Sequence, residues 1–235
     1  MRRLLLALPW LLCAAMPVAA VEIRSYDARL DLGGEGGSRC GAAIHVSDAK
    51  AGAFDLPLGF AHVSDLRLAS GPTGTILAAV ENDGQAVLHA ELPAGVATEL
   101  DLTLEFVVKG ALPGAVGDAR RVFRHSLLNT QPVRLGRYRF EVIFPDGLRA
   151  HAIREVLPRL RKGEAGPRAQ LTAIDGRPGA RLEVGGLAQG ETATLQIELT
   201  RRSQSPVWWI AGLILSLLYL SRFRDLGASA SDRSS

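Results

Sequence analysis

The chain has 235 residues, with 27 basic and 24 acidic side chains and a formal net charge of +3. That charge is too small for a nucleic-acid-binding protein, which carries a clustered basic face. Only Lys50, Lys109 and Lys162 are lysines, leaving 24 arginines, and with abundant Ala, Gly and Leu this bias suggests a GC-rich bacterial genome.

Residues 1–20 read as a secretory signal peptide. Arg2 and Arg3 form a basic start, Leu4 to Met16 an apolar stretch, and Val18-Ala19-Ala20 a small-residue cleavage site. Pro9 and Pro17 argue against a long membrane helix here. Cys13 lacks the small residue that a lipidated cysteine has directly before it. Cleavage after Ala20 is the expectation, with an uncleaved signal anchor as the alternative. The mature chain then keeps one cysteine, Cys40, which cannot form an internal disulfide and reads as buried beside Ala42 and Ile44, with an intermolecular bond as the alternative.

From Glu22 to Thr200 the dominant pattern is alternation with period two. Tyr26, Ala28, Leu30 and Leu32 share one face against Ser25, Asp27, Arg29 and Asp31. A glycine-rich GGEGG turn follows, then the strand GAAIHV. Asn82-Asp83-Gly84 joins TILAAV to AVLHAEL as a tight hairpin. Leu100, Leu102, Leu104 and Phe106 alternate next, and Gly110 to Pro132 breaks the pattern. Tyr138, Phe140, Val142 and Phe144 resume it. Pro145-Asp146-Gly147 then turns the chain into LRAHAIREV. Asp175-Gly176 and Pro178-Gly179 divide QLTAI from ARLEV, and Leu195, Ile197 and Leu199 close the series. Short alternating strands between turn signals predict antiparallel sheets with one buried and one wet face. About 180 residues exceed a sandwich of roughly 100. The expected all-β ectodomain therefore has two sandwich-like units, 21–110 and 133–204, around a linker at 111–132.

Near the C-terminus lies the longest apolar run, VWWIAGLILSLLYL. It predicts one transmembrane helix over 206–221 and a cytoplasmic tail over 222–235. Val207 to Ser221 spans about 22 Å as a helix, short of a hydrocarbon core of about 30 Å. Trp208 and Trp209 at one end, and Tyr219, Arg222 and Arg224 at the other, supply an interfacial belt and snorkelling cations that tolerate the mismatch. Arg201, Arg202, Arg222 and Arg224 balance across the span, so orientation follows from the export signal. Gly212 and Ser216, four apart, form a small-residue spacing suited to helix–helix contact.

The layout of residues 22–110 loosely resembles the N-terminal β-sandwich of M1-type aminopeptidases, also found in ribophorin-type ectodomains. The matching residues are Tyr26, Leu30 and Leu32, then Asp55-Leu56-Pro57-Leu58, then Leu92-Pro93 before Leu100, Leu102, Leu104 and Phe106. The resemblance implies an accessory module, since catalysis in those peptidases belongs to a separate HExxH zinc domain. This chain has no HExxH; His151 and Glu155 in HAIRE have the wrong order.

No other catalytic signature emerges. His45, His62, His89, His125 and His151 are scattered, with no two closer than 17 residues, and metal sites usually pair ligands at short spacing. Ser47 and Lys50 match an S-x-x-K pattern, but follow a strand and lack partner motifs. No nucleophile elbow, Walker loop or dinucleotide fingerprint occurs. No cofactor is therefore expected. Basic residues gather at Arg120, Arg121 and Arg124, and at Arg154, Arg159, Arg161, Lys162 and Arg168. The second group is the candidate surface for lipid phosphates or an acidic partner. The resulting expectation is a non-catalytic, single-pass inner-membrane protein with an extracytoplasmic (periplasmic) ectodomain, acting as scaffold or accessory subunit of a membrane complex. The alternatives are a glycan- or lipid-binding module and a hydrolase with a site assembled across strands.

Overall fold

The computed structural model describes residues 22–33, 37–47, 52–82, 84–95, 98–113, 120–130, 135–156, 168–201 and 210–219. The chain divides into two units, Met1–Thr200 and Arg201–Ser235.

The first unit is built of strands. In chain order they are β1 (Glu22–Asp31), β2 (Ser38–Ser47), β3 (Ala53–Pro57), β4 (Val63–Ser70), β5 (Ile76–Asn82), β6 (Gln85–Glu91) and β7 (Glu99–Val108). Then come β8 (Arg120–Leu128), β9 (Arg137–Ile143), β10 (Leu148–Val156), β11 (Arg168–Ile174), β12 (Arg177–Val184) and β13 (Thr192–Arg201). One seven-stranded sheet has the order β11-β12-β9-β1-β2-β7-β4. Two three-stranded sheets, β10-β13-β8 and β3-β6-β5, complete the unit. β1 and β9 run parallel, and β1 pairs with β2 antiparallel on its other side.

The alternation produces this architecture directly, because successive side chains of a strand point to opposite faces. On the large sheet Tyr26, Leu30, Ile44, Leu104, Phe140 and Leu182 turn inward. From the small sheets Leu56, Leu88, Phe123, Leu195 and Ile197 join the same core cluster. The three sheets thus share one apolar interior. Cys40 lies in it with a free thiol, as its neighbours Ala42 and Ile44 suggested.

Two expectations about domain organisation need correction. First, the units 21–110 and 133–204 are not separate: β1 hydrogen-bonds to β9 from Ser25↔Arg137 to Asp31↔Ile143, and the core runs through both. A parallel neighbour more than a hundred residues away leaves no local trace in the sequence. Second, the expected linker 111–132 contains β8, paired with β13 from Arg120↔Thr200 to Leu128↔Thr192. Its inward residues are Phe123, His125 and Leu127, and the histidine disguises the stripe. Turns fall at Asp175-Gly176 and Pro145-Asp146-Gly147 as expected, while Pro178-Gly179 lies within β12.

In the second unit, residues 210–219 form a helix, α1. Among the described residues, no helix is long and apolar enough to cross a membrane. The expected signal peptide, the cytoplasmic tail and both ends of the 206–221 span lie outside the described residues.

Candidate functional site

The outer face of the large sheet is an ordered lattice of charges. Cross-strand register sets Arg181, Glu141, Arg29, Gly41, Glu105 and Arg67 in one row from β12 to β4. Signs alternate along the row except at Gly41, which contributes no side chain. Arg181 Nε donates to Glu141 Oε1 at 2.8 Å and Arg67 Nε to Glu105 Oε2 at 2.9 Å, while Arg29 turns to Asp175. In a parallel row Arg139 lies 3.5 Å from Glu183 and 3.8 Å from Asp27, and Arg137 donates to Asp27 at 3.1 Å. Exposed pairs of this kind contribute about 0–1 kcal/mol each, so the lattice specifies register more than stability.

Among the described residues, one cation of this face is left over. Arg39 sits directly opposite Asp31 in the β1–β2 register, yet Asp31 is taken by Arg177 at 2.5 Å and 3.3 Å and by the Gly33 N–H at 2.9 Å. Partial burial pushes the Asp31 carboxyl up, but the hydrogen bonds and charges of Arg177, with Gly33 and Arg29, outweigh it and hold the group below its ordinary value. Arg39 is exposed and has no ion-pair or hydrogen-bond partner among the described residues.

Arg39 borders a groove of about 490 Å³, lined by Gly41, Asp65, Arg67, Glu105 and Val107 among others. The groove exists because β4 does not follow β7 evenly. Its register shifts between Ser64 and Arg67 and again between Leu68 and Ser70, and Asp65 adopts a left-handed φ of 53°. Such bulges re-aim side chains at sheet edges. At Gly41 an added Cβ would meet nothing within 4 Å, so the floor is open where the charge row is interrupted.

A second polar cluster is enclosed in the core. His125 Nε2 lies 2.5 Å from the Tyr138 hydroxyl, and the imidazole stacks on Phe140 at 3.9 Å and packs against Phe60 at 4.7 Å. Burial pushes the His125 pKa down to about 3, so the ring is neutral. Burial also raises the Tyr26, Tyr138 and Cys40 groups, so neither phenolate nor thiolate forms there at neutral pH. This cluster can order a core but offers no nucleophile.

The other histidines lie apart. His45 Nδ1 is 2.7 Å from Asp101, His62 is 3.8 Å from Glu81, and His89 bridges Asp55 at 2.7 Å and Glu91 at 3.5 Å. The hydrogen bond that His89 donates to Asp55 raises the His89 pKa. Among the described residues no three His, Cys, Asp or Glu groups could hold a metal ion. Ser47 ends a strand, with its hydroxyl on Glu22, and Lys50 lies outside the described residues.

Of the expected surface group, Arg154 is exposed on β10, and Arg168 opens β11 opposite Glu183. Arg159, Arg161 and Lys162 lie outside the described residues. Arg120 pairs with Glu198, and Arg124 is exposed on β8. Trp208, Trp209, Arg222 and Arg224 lie outside the described residues, while Tyr219 ends the described part of α1. The Ser216 hydroxyl donates to the Gly212 carbonyl at 2.8 Å, spending its hydrogen bond within the helix.

No family model matches the chain, and no curated protein does. Among solved structures, a candidate protease from Parabacteroides distasonis ATCC 8503 is similar at a TM-score of 0.45 and 11% identity. The match covers 77% of this chain and 40% of that protein. Likeness at that level carries no argument about activity.

The groove was not legible in the sequence. Arg39, Asp65, Arg67 and Glu105 are ordinary strand charges until the β4 bulges and the missing Gly41 side chain separate them. The only signal was the break in alternation at VSDLRLAS.

Proposed function

We propose that this chain is a non-catalytic, membrane-anchored envelope protein. Its β-sandwich would serve as scaffold or accessory subunit of a membrane complex, exported by residues 1–20 and anchored by residues 206–221. The observation that carries this reading is the surface of α1. Ile210, Leu213, Ile214, Leu215, Leu217, Leu218 and Tyr219 are each between 50% and 67% exposed. A helix that is apolar all round is stable where water is absent, in a protein interior or a bilayer. The aromatic and arginine flanks in the sequence favour the bilayer.

With the N-terminus exported, the tail from Arg222 lies in the cytoplasm. A C-terminal alkaline phosphatase fusion is therefore expected to be inactive and a C-terminal green fluorescent protein fusion bright. The reverse pattern would overturn the orientation. The accessory role is tested by purifying the full chain in mild detergent: a near-stoichiometric membrane partner, lost when residues 207–220 are exchanged for an unrelated span, supports it. A solitary monomer contradicts it.

A further inference from the structure

We propose that the groove beside β4 binds a short peptide through a carboxylate held by Arg39, either a chain end or an acidic side chain. A guanidinium presents a planar fork of donors that matches a carboxylate two bonds at a time. Among the described residues Arg39 is a cation on this face that the lattice leaves unspent, because Arg177 and Gly33 have taken Asp31, its cross-strand neighbour.

The other groups narrow the ligand. Arg67 is neutralised by Glu105, and Asp65 stands exposed on the bulge, so the rim carries two acids against two arginines. A multiply charged anion such as phosphate would meet those acids. A single carboxylate needs only Arg39, and it leaves Asp65 to accept a peptide N–H or amine. The floor suits a backbone: Gly41 leaves it open and Val107 lends an apolar wall. About 490 Å³ lies within the range of small-ligand sites. The two bulges prevent β4 from templating a regular added strand, so the peptide lies in the groove and not along the edge. This proposal stands apart from the membrane anchor.

Titration calorimetry on the full chain in an uncharged detergent tests it with three probes. These are N-acetyl-tetra-alanine with a free C-terminus, its C-terminal amide, and an amide carrying one aspartate at the third position. One or both carboxylate peptides are expected to bind about fivefold more tightly than the neutral amide, the upper end of what one exposed ion pair supplies. Preference for the first identifies a chain end; preference for the third identifies an acidic side chain. Arg39→Gln removes the advantage, and Gly41→Val blocks binding of all three by filling open space without touching a charge. Arg24→Gln, which removes a cation paired with Glu99 away from the groove, stays within about twofold of the wild type. Equal binding of the neutral amide, tighter binding of inorganic phosphate, no binding of any peptide at millimolar concentration, or unaltered binding by both groove variants would overturn it.

Discussion

His125 is the residue whose role the sequence conceals most completely. It sits in a run of arginines, RRVFRH, that reads as a basic loop, yet its ring is fully enclosed between Phe140 and Phe60. Its pKa is about 3 in the fold against an ordinary 6.5, so below pH 6.5 the unfolded chain binds a proton that the folded one does not. Stability is therefore complete above pH 6.5 and falls on acidification towards pH 3, by at most about 1.4 kcal/mol per pH unit. Urea unfolding between pH 7.5 and 5, followed by the tyrosine circular dichroism of Tyr26 and Tyr138, should show this slope. His125→Gln should flatten it, and a wild type with constant stability across that window would contradict the account. Tyr138→Phe removes the partner of Nε2 and strands a buried imidazole nitrogen, a loss of about 1–3 kcal/mol by the same measurement.

At the scale of elements, hairpins were readable and long-range partners were not. Asn82-Asp83-Gly84 marked the β5–β6 turn because a tight hairpin needs residues tolerant of positive φ, and Gly84 has φ 72°. β8 is hidden in the sequence because one buried histidine stands where an aliphatic residue would complete its stripe. The pairing of β9 with β1 is hidden too, because a parallel crossover has no turn chemistry of its own. β9 is also tightly held on both sides, by β1 and by β12. A Cβ at Gly136 would stand 2.5 Å from the Arg24 carbonyl oxygen, and one at Gly179 2.5 Å from that of Val142. Backbone cannot yield as a side-chain tip does. Gly136→Ala and Gly179→Ala are each expected to cost about 1–3 kcal/mol in urea unfolding, although both replacements favour strand over coil elsewhere. Wild-type midpoints for both would show that β9 packs loosely against β1 and β12.

For the whole molecule, fold class was legible and domain count was not. Alternation reveals which face of a strand is buried, but not whose core it enters. Here strands from both halves of the sequence close one core, so fragments 22–110 and 133–204 should each fail to unfold cooperatively, while 22–201 should melt in one transition. Independent cooperative melting of either fragment would restore the two-unit reading. The proposed membrane anchoring of the chain rests on α1 and the sequence flanking it, and alkaline carbonate extraction of native membranes tests it most directly. The full chain is expected to stay with the lipid pellet at high pH, and a chain lacking residues 206–235 to be released. Quantitative release of the full chain into the supernatant would contradict the anchor and, with it, the proposed role.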